Sequence, residues 1–330
     1  MKVRDIRLLC SAACLFAVSL LTPLGAAAQS AAGYPSKSVK IIVGYAAGGA
    51  TDVHARILAE GLTKLLGQTF YVENRPGATG VIAADQVAKS APDGYTLMVA
   101  TSGALAIPQN FGKLPYDPVK DFIPVAQITT NDLVLVVNNN FPAKNFAEFV
   151  QVLKANPQKY SYGVSGKGSI THISGERLKR LVGIDMQVLP YKGDSQAMTD
   201  TIGGASPISL VALASVSALV KSGQARPLVV TGSQRLKYFP DIPTVMESGY
   251  PDFVASSWIA LFAPAGTSPE IVKLLGDASR KAMSDPAVID RLESTGTRMA
   301  GKTSQELSAF MGKEIIEFAQ VIRAADIKPD

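Results

Sequence analysis

The sequence predicts an α/β fold, and three observations carry the prediction. Short β-branched runs alternate with amphipathic helical runs, a strand, glycine loop and helix occur twice, and the last third turns helical behind clear start signals. Strands separated by helices of this length indicate βαβ units built around a parallel sheet.

Taken in order, residues 39–43 form a β-branched strand, and 53–66 place Ile57, Leu58, Leu62, Leu65 and Leu66 on one helical face. A strand over 70–72, a helix over 81–89 and a strand over 96–100 follow. A second unit begins after an extended run at 133–137. It continues with a helix over 146–155, a strand over 162–164, and a helix over 170–182 whose face carries Ile170, Ile173, Leu178, Leu181 and Val182. Strands near 186–189, 208–211 and 228–231 complete that unit, and Phe239-Pro240-Asp241-Ile242-Pro243-Thr244 is too proline-rich for regular structure. Helix starts then become explicit. Ser268-Pro269-Glu270 and Asp285-Pro286 each supply an N-cap and a first-turn proline, and Thr303 with Glu306 forms a capping box. Apart from an extended segment over 255–262, these helices have no strands of their own to cover. They are therefore expected to pack back on the first unit, giving two lobes with crossings near 131–138 and 253–258.

The N-terminus carries Lys2, Arg4 and Arg7, an apolar run over 8–24, and Ala26-Ala27-Ala28, the pattern of a secretory leader (residues 1–28) cleaved after Ala28. The run falls short of the ~20 residues that a spanning helix needs. No later run approaches that length, and 208–220 suits a buried strand leading into a helix. Cys10 and Cys14 both fall inside the leader, so the mature chain is expected to lack disulfides; a chain of about 300 residues can bury enough core without them. Without Lys2, Arg4, Arg7 and Asp5 the net charge of +5 becomes +3, too mild and too evenly spread for nucleic acid. His54 and His172 lie far apart with no cysteine partner, which argues against zinc or any other metal, and no cofactor motif is present.

The chemistry is concentrated in the repeated glycine loops. The first strand runs into Gly44-Tyr45-Ala46-Ala47-Gly48-Gly49-Ala50-Thr51-Asp52, and the strand 162–164 runs into Ser165-Gly166-Lys167-Gly168-Ser169. Glycine lets backbone approach a ligand, and a helix N-terminus leaves N–H groups pointing outward at an anion. Micromolar capture needs about 8 kcal/mol, and hydrogen bonds to a charged group contribute about 1.5–3 kcal/mol each, so two such loops facing one cleft could suffice. Nucleotide motifs fail on detail. Neither loop closes a Gly-Lys-Ser/Thr at Walker spacing, and Gly166-Lys167-Gly168-Ser169-Ile170-Thr171 lacks the final glycine of a dinucleotide fingerprint. Gly163-Val164-Ser165-Gly166-Lys167 has lysine where a hydrolase elbow needs glycine.

Over essentially the whole mature chain, the sequence resembles the periplasmic solute receptors of tripartite tricarboxylate transporters, the Bordetella uptake gene family. The resemblance rests on Tyr34-Pro35, Gly48-Gly49-x-x-Asp52, Asn74-Arg75-Pro76-Gly77-Ala78-x-Gly80 and Asp93-Gly94-Tyr95-Thr96-Leu97. It continues through Tyr116-Asp117-Pro118-x-Lys120-Asp121-Phe122, Ser165-Gly166-x-Gly168-Ser169-x-x-His172, Pro190-Tyr191-Lys192-Gly193 and Asp241-Ile242-Pro243-Thr244. It implies a type II periplasmic-binding fold, with residues 34–132 and 255–330 as lobe 1 and 133–254 as lobe 2, closing on a small carboxylate. It also implies a monomer in the periplasm that serves a large and a small membrane subunit. Carried over by position, the first-lobe contacts would be Tyr45, Ala46, Ala47, Gly48, Gly49, Ala50 and Thr51. Asp52 and the turn holding Ala78 and Gly80 would support them, with Thr101 and Ser102 at the cleft floor. The second lobe would contribute Ser165, Gly166, Lys167, Gly168, Ser169, His172, Tyr191 and Lys192.

Three departures from the family pattern matter. Gly44-Tyr45-Ala46-Ala47 stands where relatives have an aromatic and prolines, so the pocket wall there is expected to be wider or more mobile. Ala205 to Val211 carries no acid, which argues against an amino-acid ligand, and Lys167 replaces a small polar residue. An ammonium at Lys167 would favour a ligand with more than one carboxylate; the plain alternative is a solvated lysine. Asp52 is expected to favour the helix dipole and to pair with Arg56 four residues on. His172 suits either a capping contact or a ligand hydrogen bond, His54 a surface or interlobe position, and Trp258 the stiffening of a crossing more than the cleft. A sensor input to a signalling partner is a second binding role. An esterase using Ser165 or Ser169 with His172 is disfavoured because no third group orients the imidazole.

Overall fold

The structure is a computed structural model that describes residues 33–328; the leader reading falls on residues outside these. The first α/β unit comprises β1 (Val39–Val43), α1 (Ala50–Leu66), β2 (Phe70–Asn74), α2 (Val81–Ala88), β3 (Thr96–Thr101) and the single turn α3 (Ser102–Leu105). The second comprises β4 (Phe122–Val137), α4 (Phe146–Ala155), β5 (Ser161–Val164), α5 (Ile170–Val182), β6 (Gln187–Pro190), α6 (Asp194–Gly203), β7 (Ile208–Ala212), α7 (Leu213–Lys221) and β8 (Arg226–Val230). The chain then returns through β9 (Ser256–Pro264) to α8 (Pro269–Met283), α9 (Pro286–Glu293), β10 (Thr297–Met299) and α10 (Ser304–Ala324).

Strand order is β2-β1-β3-β9-β4-β7-β5-β6, with β8 and β10 also paired to β4. The β1–β2, β1–β3, β5–β6 and β5–β7 pairs are parallel, as βαβ units require, whereas β9 and β4 run antiparallel to their neighbours. Alternate residues bury opposite faces. Ile41 and Val43 pack under α1 and α8 with Leu58, Leu62 and Leu275, while Ile42, Met98 and Phe262 pack under α10 with Leu307, Met311 and Phe318. The second sheet repeats the arrangement. Leu133, Leu135 and Leu210 meet Phe149 and Leu178 on one face, and Val134, Val136 and Val211 meet Met198 and Val216 on the other.

The two sheets share β4. Residues 122–132 of this strand pair with β9, and 133–137 pair with β7 and β8, so one uninterrupted strand carries the chain across. The extended run predicted over 133–137 is therefore the far half of a strand that starts at Phe122. Thr231 ties the two crossings together. Its hydroxyl donates to the Ala255 carbonyl and accepts from Leu133 N at 3.0 Å, and its backbone accepts from Ala255 N at 2.9 Å.

Other differences have local causes. Helix α1 begins at Ala50, ahead of the predicted start, because Gly49 already occupies the N-cap. Leu65 and Leu181 sit on the helical faces predicted to be buried, yet are 38% and 45% exposed, since each lies at the edge of a stripe that the sheet does not reach. The C-terminal third does hold a strand: β10 pairs with β4, and three residues are too few for periodicity to register. Helix α6 escapes the sequence because it buries only Ala197, Met198 and Thr201. The three predicted helix starts are all present, with Ser268, Asp285 and Thr303 accepting first-turn amides and Glu306 closing the capping box.

Candidate functional site

Loop 44–49 is fixed from behind. A Cβ on Gly44 would lie 2.6 Å from the Gly80 Cα, so the loop and the 77–80 turn touch backbone to backbone. In that turn Ala78 and Thr79 hold left-handed φ values of 45° and 55°, a strained geometry of the kind that clusters at binding sites. The Tyr45 hydroxyl lies 2.7 Å from Thr101 Oγ1, and burial raises its pKa while that hydrogen bond opposes the rise. Asp52 accepts from Gly48 N (2.9 Å), Arg56 Nε (3.0 Å) and Asn74 Nδ2 (2.9 Å), so the expected pair with Arg56 is present. Burial works against its charge, but these hydrogen bonds outweigh it and hold the carboxyl below its usual range. The Gly49 N-cap has no side chain to offer, which leaves the amides of Ala50, Thr51 and Asp52 as the helix-end donors.

The second loop spends more of its donors internally. Ser165 N donates to Thr171 Oγ1 (2.9 Å), Gly168 N to His172 Nδ1 (3.0 Å), Ser169 N to the Gly166 carbonyl (3.2 Å), and His172 N to Ser169 Oγ (3.3 Å). The open anion end expected here is thus partly closed by its own Ser169 cap, and the first-turn amides of Ile170 and Thr171 are the donors left. His172 takes the capping alternative. It is buried, its Nδ1 serves as acceptor, and burial first, then Lys179 and Lys167, lower its pKa against the pull of Glu176.

A cavity of about 560 Å³ lies between the loops. Of the predicted residues, Tyr45, Ala50, Thr51, Ala78, Thr101, Ser165, Gly166, Lys167, Gly168, Ser169 and Lys192 line it. Ala46, Ala47, Asp52, Gly80, Ser102, His172 and Tyr191 do not. Ser102 is buried with its Oγ 3.3 Å from Ser257 Oγ, and the Tyr191 hydroxyl donates to Asp200 at 2.8 Å. Gly48 and Gly49 border a separate side cavity of about 400 Å³ with His54 and Ser195. Of the two positions expected for His54, the surface is excluded: it is buried beside this cavity, which Ser195, Ala214 and Ser215 border from the second lobe, with Nδ1 3.2 Å from Thr129 Oγ1, and its desolvation lowers the pKa to about 4. Trp258 is also buried, in β9 and away from this cleft, and donates through Nε1 to Glu314.

Several lining residues have no counterpart among the expected ones. Asn131, Leu133 and Ser257 form the floor on the crossing strands, where the alternation of β4 and β9 could have pointed to them. Ile107, Pro108 and Phe111 form an apolar wall. Phe111 reaches across to the second loop, where a Cβ on Gly168 would meet its ring at 2.6 Å, a contact with no sequence signal. Among the described residues no group of His, Cys, Asp and Glu is placed to hold a metal, and no helix is long and apolar enough to cross a membrane.

Two α/β lobes sharing a pair of crossing strands, with a cleft at the joint, make up the fold of the periplasmic solute-binding proteins. Comparison with known proteins narrows the class. The family model described as tripartite tricarboxylate transporter family receptor matches residues 54–327. BugT of Bordetella pertussis is 36% identical over 305 residues, covering 92% of this chain and 94% of that protein. Rpa4515 of R. palustris, solved with adipate, has a TM-score of 0.80 at 32% identity over 90% of this chain and all of its own. MatC from Rhodopseudomonas palustris, solved with bound malate, has a TM-score of 0.75 at 32% identity over 88% of this chain and 100% of its own. The chain belongs to the tripartite tricarboxylate transporter receptor family.

Proposed function

We propose that the protein is a monomeric periplasmic receptor that captures a small carboxylate, with di- and tricarboxylates favoured, and delivers it to the large and small membrane subunits of a tripartite tricarboxylate-type transporter. The observation that carries this reading is the pair of first-turn amides at Ala50 and Thr51, presented without a side-chain cap at one edge of a cleft that Lys167 and Lys192 line from the other. Hydrogen bonds to a charged oxygen contribute about 1.5–3 kcal/mol each, so three or four of them reach the ~8 kcal/mol of micromolar binding. The lobes would be 34–132 with 255–330, and 133–254, a division that the cores follow except at Ile173, which packs with the first lobe, and Ala255, which packs with the second. Adipate and malate, seen with the two relatives, are the first ligands to try. The role is binding rather than catalysis. Ser169 Oγ donates to the Gly166 carbonyl at 2.7 Å and His172 Nδ1 is engaged by Gly168 N, which supports a loop-stabilising use of the pair that would serve an esterase.

Thermal shift against mono-, di- and tricarboxylates, followed by calorimetry, tests the proposal. A ligand at a hundred times its Kd adds about 2.7 kcal/mol to stability. Ala50→Pro removes one amide donor at the first helical position, where proline is tolerated, and it is expected to weaken binding about tenfold or more relative to Ala50→Ser, which keeps the amide. Silence across the acids, or equal affinity in the two variants, would defeat the reading.

A further inference from the structure

The strands that join the lobes separate two cavities. In the β4–β9 ladder Thr130 pairs with Trp258, Asn131 with Ser257 and Asp132 with Ser256. Cross-strand partners share a face and successive residues alternate between faces. Asn131 and Ser257 border the ligand cleft, whereas Thr130, Asp132, Ser256 and Trp258 border a second cavity of about 490 Å³. The second cavity therefore lies directly behind the hinge. Its banks come from different parts of the chain: Ala300, Lys302 and Phe310 on one side, Arg177, Gly232 and Val254 on the other.

A rotation about β4 and β9 that parts the lobes at the front must bring these banks together at the rear. Close-packed protein does not compress, so any atoms held in the rear cavity oppose that movement. We infer that the rear cavity is a control site for the hinge: filling it holds the ligand cleft closed, and enlarging it lets the cleft open.

The contacts around the cavity fit such a role. Asp132, on the crossing strand, pairs with Arg298 of β10, and the pair presses on Gly232, where there is no room for a Cβ. Trp258 ties β9 to α10 through Glu314, and α10 reaches α5 through Arg180, which donates to the Ala324 carbonyl at 3.2 Å. Two buried acceptors on the cavity lining, Asp132 Oδ1 and Gln127 Oε1, have no partner among the described residues.

The inference needs the lobes to move but does not need the ligand to be known, so it is tested without one. Nitroxide labels at Lys113→Cys and Thr199→Cys, in a chain with Cys10 and Cys14 changed to serine, report the distance between lobes by electron double resonance. Val254→Trp and Ala300→Trp, which fill the cavity from opposite banks, are expected to raise the ratio of short to long distances about tenfold, and Phe310→Ala to lower it by a similar factor. Val119→Trp, exposed and outside both cavities, is expected to leave the distribution unchanged. Circular dichroism verifies folding, and should one filler fail to fold, the other filler and Phe310→Ala still decide. Distances that do not respond to filling or enlargement, or that respond with the opposite sign, overturn the inference.

Discussion

Asp52 and His172 occupy the same place on their helices, the third residue of the first turn, and each turns back to accept the amide of a loop glycine four positions earlier, Gly48 or Gly168. One acceptor is a carboxylate held ionised and the other an imidazole held neutral by burial, yet the mechanical result is the same. Each loop is pinned to the helix that it precedes. His172→Ala leaves the buried Gly168 amide unpaired and Asp52→Ala removes a buried carboxylate from three part-buried donors, so each is expected to lower stability, by about 1–3 kcal/mol in urea unfolding for His172→Ala and by less for Asp52→Ala, and to weaken ligand affinity. His172→Asn, which keeps an acceptor, is expected to recover most of both. The pairing of Asp52 with Arg56 is legible from the i,i+4 spacing. The choice for His172 is not, because a capping contact and a ligand contact place the same demand on the sequence, and only the position of the Gly168 amide separates them.

Elements with strong terminal signals were the most legible. Helices α8, α9 and α10 start where Ser268, Asp285 and Thr303 predict, since a cap is decided within four residues of chain. The crossing strands were not legible as a hinge. Beyond their own ladder they are bridged by Thr231, nearly a hundred residues from Leu133 and fully buried, whose single hydroxyl serves both Leu133 and Ala255. Thr231→Val keeps the shape and removes the hydroxyl. It is expected to destabilise the fold by about 1–3 kcal/mol and to speed hydrogen exchange at the Leu133 and Ala255 amides more than at β1.

At the scale of the whole molecule, buried titratable groups pull stability in opposite directions with pH. Desolvation raises Glu314 to about 7, with Trp258 opposing the shift, and raises Asp132 to about 6, with Arg298 opposing. Such acids bind more protons folded than unfolded, so their share of stability is complete at low pH and is lost as pH rises from the ordinary carboxylate range through 6 to 7. His54, lowered to about 4, acts in the other sense: its share is complete above 6.5 and is lost as pH falls toward 4. Each of these groups contributes on the order of 3 kcal/mol. The melting temperature is therefore expected to peak in mildly acidic buffer. In calorimetric scans across pH, Glu314→Gln is expected to flatten the alkaline limb and His54→Asn the acidic one. A profile that neither variant changes would assign the pH dependence to other groups. The sequence by itself determined the alternation of strands and helices, the two glycine loops, the helix starts and the family pattern, because each is written in residues near one another along the chain. Tertiary structure alone decided which loop amides remain open, that Phe111 meets Gly168, and that the two faces of the crossing strands look into different cavities. Those outcomes depend on groups far apart in sequence competing for the same buried space and the same hydrogen bonds.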